Sequence, residues 1–224
     1  VLLDADGGLR VHKVLSTPHA PEAAILQGIA ELGLEPSRLQ LVHGSTVATN
    51  AVLEGKGVRT LYVGNRGFAD LLTIGRQQRA QLYDLQPAEV SPPVPAELCI
   101  ETGGRLDANG ALIEALGDDD LEALRTAVAR LRPEAVAVNL LFSYLDPALE
   151  ERIASVLPSG LFVSLSSQVL PEIREYERGM ATWLNAWIGP RVAGYLRRLG
   201  AALPGAAVSV MQSSGDTVAA AQAA

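Results

Sequence analysis

The strongest constraint on this fold is a rhythm in the second half of the chain. Short runs of small and β-branched apolar residues alternate there with stretches whose apolar residues recur every three or four positions. Asp118, Asp119 and Asp120 are expected to cap a helix with Leu121, Leu124, Val128 and Leu131 on one face, and Pro133 must end it. Residues 135–142 then read as a strand buried on both faces, Asp146-Pro147 opens another helix, and residues 161–165 form another strand. A last amphipathic helix is expected from about Pro171, with Tyr176, Met180, Trp183, Leu184, Trp187 and Ile188 on one face. Gly189-Pro190 is expected to kink or divide it before Tyr195, Leu196 and Leu199 continue. Such alternation predicts an α/β protein with a mixed sheet and helices on its faces.

The first half is less regular. Residues 1–4 and 9–15 predict a hairpin around Asp6-Gly7-Gly8, and Pro21 starts a helix that Gly33 ends. A strand over 39–43 leads into a helix capped by Ser45 or Thr46 and stopped by Gly55, and a strand follows over 58–63. After a short helix near Phe68 and Leu72, Pro87, Pro92, Pro93 and Pro95 mark extended connections. Asp107-Ala108-Asn109-Gly110 predicts a type I′ turn between strands over 98–106 and 111–115, and residues 66–116 read as an inserted lobe. A final strand covers 208–211, before an alanine-rich tail.

Charge and composition exclude several classes of function. With 18 basic against 25 acidic residues, the net charge of −7 disfavours a nucleic-acid backbone as partner. Only Lys13 and Lys56 are lysines, so positive charge sits mainly on guanidinium forks suited to planar carboxylates, imides and phosphates. No apolar run reaches the ~20 residues of a membrane helix and no leader is visible, which predicts a cytoplasmic protein with no membrane partner. Cys99 stands alone, so it reads as a small buried hydrophobe. His12, His19 and His43 lack the paired spacing of a zinc hydrolase, and no catalytic metal is expected within the chain. G-x-S-x-G, G-x-x-x-x-G-K-[ST] and G-x-G-x-x-G are all missing.

Three segments carry candidate chemistry. In His43-Gly44-Ser45-Thr46-Val47-Ala48-Thr49-Asn50 a strand ends where a helix begins, so free N–H groups and the hydroxyls of Ser45 and Thr46 offer donors to a carbonyl or anion. A plain helix cap explains Ser45 and Thr46 equally well, and His43 reads either as a ligand-orienting group or as a histidine satisfied by its neighbours. Arg66, Arg76, Gln77, Gln78, Arg79 and the Tyr83 hydroxyl crowd a second stretch that also holds Asp70 and Asp84. These arginines, amides and hydroxyl form a donor set that fits an imide or amide ring, with solvated helix ends as the plainer account. The third is Glu172-Ile173-Arg174-Glu175-Tyr176-Glu177-Arg178. A charged solvent face with Glu175 paired to Arg178 explains it; turned into a cleft, its carboxylates and arginines supply a base toward water and a counter-charge.

These three segments, with Ile74-Gly75-Arg76-Gln77, Leu82-Tyr83-Asp84 and Leu170-Pro171, resemble the N-terminal region of the hydantoinase A/5-oxoprolinase family. Phe142-Ser143-Tyr144, Asn185-Ala186-Trp187-Ile188 with Pro190, and Met211-Gln212-Ser213 look like further landmarks. The resemblance implies an actin-like, sugar-kinase-like ATPase fold of the ribonuclease H-like class, here incomplete, and a partial N-terminal region over residues 1–224. It implies a bacterial ATP-dependent hydrolase that opens hydantoin, N-methylhydantoin or 5-oxoproline through a phosphorylated carbonyl. The implied catalytic residues are Glu172, Arg174 and Glu175, and the implied substrate-binding residues are His43, Ser45, Thr46, Asn50, Arg66, Asp70, Arg76, Tyr83 and Asp84. ATP with Mg2+ is the implied cofactor, its phosphate loops are expected outside the chain, and so the chain alone is expected to bind none and to be inactive. A hydantoinase B-type subunit and an oligomer are the implied partners. A ketone carboxylase subunit or a non-catalytic assembly module are the alternatives. Departures from the family pattern stand at Gly55, at Gly179 and Met180, and at Ser214-Gly215-Asp216, which leaves the substrate open.

Overall fold

The computed structural model describes residues 1–4, 6–17, 19–78, 83, 91–212 and 214–223. In chain order the elements are β1 (Leu2–Leu3), β2 (Leu9–Arg10), α1 (Pro21–Glu31), β3 (Gln40–His43), α2 (Val47–Leu53), β4 (Thr60–Asn65), α3 (Leu71–Ile74), β5 (Cys99–Thr102), β6 (Arg105–Leu106), β7 (Leu112–Glu114), α4 (Asp118–Leu131), β8 (Ala135–Asn139), α5 (Ala148–Ser155), β9 (Phe162–Leu165), α6 (Ser166–Val169), α7 (Glu175–Ala202), β10 (Ala207–Met211) and β11 (Thr217–Ala219). They divide into two compact units, Val1–Lys56 with Arg191–Ala224, and Gly57–Pro190. No helix among the described residues is long and apolar enough to cross a membrane.

In the first unit, β1 and β2 pair antiparallel across a turn in which Gly7 takes φ +84. A mixed three-stranded sheet runs β11-β10-β3, with β10 parallel to β3 and antiparallel to β11. Ile29 of α1 packs with Tyr195, Leu196, Leu199 and Leu203 of the α7 end and its following turn, and Leu41, Val208 and Val210 from the sheet lie against them. Pro21 starts α1 at a position where its missing N–H costs nothing, and Gly33 at φ +68 follows its end.

The second unit is built on a parallel sheet ordered β5-β4-β8-β9. All residues of β4 and β8 are buried, as expected of strands covered on both faces. Leu61, Tyr62, Val63, Val136 and Val138 centre the core, with Leu121, Leu124 and Val128 of α4, Ile153 of α5 and Trp183 of α7 packed around them. Each buried leucine or valine contributes roughly 1.5–3 kcal/mol, so this helix-sheet-helix packing carries most of the unit's stability. Trp187 stacks on Trp183 with ring centroids 5.1 Å apart, and Gly57 makes room for its indole.

Several sequence expectations need correction. Residues 99–102 pair with β4 inside the main sheet, so the hairpin shrinks to β6 with β7. Its turn is not type I′: of its residues only Gly110 has positive φ, while Asp107 Oδ1 accepts the N–H groups of Asn109 and Ala111 and shapes the turn itself. Helix α4 is capped by Gly117, whose N–H donates to Asp120 Oδ2 at 2.9 Å. Helix α7 begins at Glu175 because Arg174 adopts φ +75, which a helix cannot continue through, and it runs on past Pro190 to Ala202.

Candidate functional site

Chain connections leave β4 toward β5 and leave β8 toward β9, in opposite directions across the sheet. The crevice beyond the carboxyl ends of β4 and β8 is therefore a topological switch point, where open α/β sheets bind their ligands. Register brings Asn65, Thr102 and Asn139 to that end, all buried. Asn65 Nδ2 donates to Gly104 O at 3.1 Å, and its Oδ1 accepts Leu141 N–H at 2.7 Å, which joins the connection after β5 to the turn after β8. Among the described residues, Thr102 Oγ1 is buried without a hydrogen-bond partner. In the turn after β8, Phe142 holds φ +59, an unfavourable conformation for a bulky residue and of the kind that clusters at functional sites.

Behind this edge lies a buried polar network. Arg178 is only 1% exposed; its Nε donates to Asn139 Oδ1 and Ser166 Oγ, both at 3.1 Å, its Nη1 to Glu172 O at 2.7 Å and its Nη2 to Leu140 O at 2.9 Å. Glu150, fully buried, accepts Leu140 N–H and Ser166 Oγ on one oxygen, and Ser167 N–H and Oγ on the other. Ser166 has one proton to give, so with it on Glu150 the oxygen accepts from Arg178 and from Ser143. Asn139 Nδ2 donates to Tyr62 OH at 2.9 Å and to Glu175 O at 3.1 Å. Burial pulls the Arg178 guanidinium below its ordinary pKa, opposed by the charges of Glu150 and Glu175, and burial pushes the Tyr62 phenol up.

The second and third sequence segments meet here. Arg76 Nε donates to Glu177 Oε1 at 2.8 Å while its Nη2 reaches Oε2, a bidentate pair, and its guanidinium lies 5.8 Å from the Tyr176 ring centroid. This pair holds the Glu177 carboxyl below its ordinary pKa. Glu172 and Arg174 are exposed on the approach to α7, and Glu175 is half-buried in its first turn. The expected Glu175–Arg178 pair on a solvent face does not form, because Arg178 points into the core and spends its N–H groups on Asn139, Ser166, Leu140 and Glu172.

Arg66 is placed otherwise, paired with Glu114 and Asp120, and the N–H groups of Gly67 and Ala69 donate to Glu101 Oε1. Asp70 is exposed at the start of α3 and makes no side-chain capping bond. Tyr83 is exposed, and Arg79, Leu82, Asp84, Pro87 and Ser213 lie outside the described residues. Among the described residues, no three of His, Cys, Asp or Glu converge as they would to hold a metal.

In the first unit, Ser45 Oγ accepts Val47 N–H at 3.1 Å and Thr46 Oγ1 lies 3.4 Å from Asn50 Nδ2, all on an exposed junction. His43, at the end of β3, is satisfied by its neighbour: its Nε2 meets Tyr195 OH, and the rings stand edge to face at 5.6 Å. Burial lowers the His43 pKa and raises that of Tyr195 to about 12, which favours the neutral form of both; the imidazole tautomer sets which of them donates.

Sequence reasoning missed Tyr62, Asn139, Glu150 and Ser166 as parts of this edge. A signal existed for one of them: Asn139 is the single hydrogen-bonding side chain in the apolar run 135–142, and a buried polar group needs a partner. Glu150 resembled an ordinary acidic residue of a helix first turn.

The fold is α/β, with mixed and parallel sheets flanked by helices in the actin-like manner. Residues 1–160 match the model of the hydantoinase/oxoprolinase N-terminal region, and the chain belongs to that family. An uncharacterized protein of Methanocaldococcus jannaschii is 31% identical over 216 residues, 92% of this chain and 32% of the relative. The caprolactamase subunit alpha of Pseudomonas jessenii is 30% identical over 215 residues, 90% of this chain and 31% of the relative. The crystal structure of the ATP-dependent caprolactamase from Pseudomonas jessenii matches with a TM-score of 0.85 and 29% identity, over 98% of this chain and 34% of that one. The chain thus spans about a third of the length of these relatives. The match to residues 1–160 ends before Glu172, but both relatives and the solved structure extend over most of this chain.

Proposed function

We propose that the protein carrying this chain uses ATP with Mg2+ to open a cyclic amide such as hydantoin, N-methylhydantoin or 5-oxoproline, its ring carbonyl being phosphorylated before water adds. The observation that carries this reading is the Arg76–Glu177 pair, which joins a donor-rich segment to the helix start following Glu172, Arg174 and Glu175. One exposed acid, a second half-buried one and two exposed arginines in so short a compass are the groups such a reaction asks for. Glu172 or Glu175 serves as base toward water, while Arg174 and Arg76 offer planar donors to the ring oxygens. Asp70 and Tyr83, both exposed in the same unit, complete the proposed substrate contacts. Family membership and likeness to an ATP-dependent caprolactamase support the reaction class.

The described residues do not fit a triphosphate or its metal by themselves. Gly44 opens onto a helix of only seven residues, and Ser45 Oγ is already engaged by Val47 N–H. No step through ATP is therefore assigned to these side chains. The reading includes a cytoplasmic bacterial setting and a B-type partner subunit; the name of the caprolactamase subunit alpha implies a further subunit for that relative.

The test is phosphate release by the full-length protein with its partner, assayed with each ring amide in turn. Release that rises only when one such ring is added supports the proposal. ATP turnover indifferent to every ring sinks it, and turnover that needs bicarbonate and a ketone would replace it with a carboxylase.

A further inference from the structure

We infer that Arg178 is a positioning residue for the segment from Glu172 to Glu175, itself held by Glu150 through the Ser166 hydroxyl. The inference rests on the proposed reading in assuming that this segment faces the reacting ring. The Arg178 side chain holds the segment through Nη1, which donates to Glu172 O at 2.7 Å, next to the first backbone bond of the helix, from Arg178 N–H to Arg174 O at 3.1 Å. Its neighbour in the network, Asn139, holds the next carbonyl by donating to Glu175 O at 3.1 Å. The other arm of the guanidinium holds Leu140 O, so one side chain ties the turn after β8 to the approach to α7.

Two features argue for geometry over mere packing. Each tied turn contains a non-glycine residue with positive φ, Phe142 at +59 and Arg174 at +75, and such backbone persists only where its surroundings over-determine it. Burying a guanidinium and a carboxylate is a poor way to gain stability, because desolvation offsets their attraction, but it does specify one arrangement. Among the described residues, the network reaches the exposed segment only through backbone carbonyls and makes no bond to the side chains of Glu172 and Arg174. Arg178 and Glu150 touch no substrate in this scheme; they act through the segment they hold.

The experiment compares wild type, Arg178→Lys and Ser166→Ala in the full-length protein with its partner. It measures ring-dependent phosphate release and hydrogen exchange of the amides over residues 170–176. Lysine keeps the charge but cannot hold the four acceptors of a planar fork. The expected result is a fall in kcat of about 100-fold for Arg178→Lys and about tenfold for Ser166→Ala, with the KM for ATP within about twofold, as misplacement of a reacting group predicts. Exchange over 170–176 should quicken in both variants while that of β4 and β8 stays slow. Unchanged exchange over 170–176, or quickened exchange with undiminished kcat, overturns the inference. Should Arg178→Lys fail to fold, Ser166→Ala decides by the same two criteria. Should wild type open no ring, the proposed function has failed, and the exchange measurement alone decides whether Arg178 positions the segment.

Discussion

The Cβ that any other residue would carry at Gly179 falls 2.5 Å from Nδ2 of Asn139, and 3.1 Å from Tyr62 OH. Helix α7 and the end of β8 approach this closely because glycine has no side chain. The Asn139 amide can then reach Tyr62 and Glu175 O together. Gly179→Ala is predicted to lower stability by about 1–3 kcal/mol, the usual cost of overpacking. A urea midpoint equal to wild type would show that Asn139 yields freely.

Arg76→Ala and Glu177→Ala remove an exposed pair, and exposed ion pairs add little to stability. Neither variant should shift the thermal midpoint appreciably, whereas ring-dependent phosphate release should fall about 10- to 100-fold. Glu177 has its pKa lowered by Arg76, so the attraction is present above its ordinary value of 4.5 and fades as pH falls below it. A lowered midpoint with unaltered turnover would make the pair structural.

Burial holds the His43 imidazole below its ordinary pKa of 6.5. As pH falls, the unfolded chain takes up this proton before the folded chain does, so stability is intact above that value and declines below it. His43→Gln, whose amide oxygen can still accept from Tyr195, should flatten the dependence of the urea midpoint between about pH 7.5 and 5.5. An identical slope in both proteins would remove His43 as its source.

Cys99 lies half-buried against Pro95 O, and burial with the nearby charges of Glu97 and Asp70 pushes its thiol up to about 11. Since only the thiolate reacts, alkylation by iodoacetamide at about pH 8 should quicken at least tenfold on unfolding in urea. Equal rates in the folded and unfolded chain would contradict that placement.

Much of the second unit was legible in the sequence because burial on both faces leaves a continuous apolar run, as in residues 135–139, and a half-buried helix leaves a three-to-four spacing, as in Leu121, Leu124 and Val128. Residues 99–102 misled because the hairpin signal of Asn109-Gly110 is local, while the choice of partner strand belongs to the whole sheet. Helix α7 starts four residues later than the sequence predicts, since nothing in the composition of residues 171–175 betrays the φ of Arg174. His43 was open between two readings, and only the arrival of Tyr195, 152 residues away in the chain, decided that it is satisfied by a neighbour.

By itself the sequence determined the alternation of strands and helices, the family, and the segments in which polar groups gather, because periodicity and short motifs are properties of neighbouring residues. Tertiary structure alone decided that Arg76 meets Glu177, that Arg178 turns inward to Glu172 O and Ser166, and that Glu150 is buried beneath them. A charged residue on a helix reads alike whether water or the protein receives it. What differs is the set of partners that distant strands bring within about 3 Å, and those distances follow from the packing of the sheet.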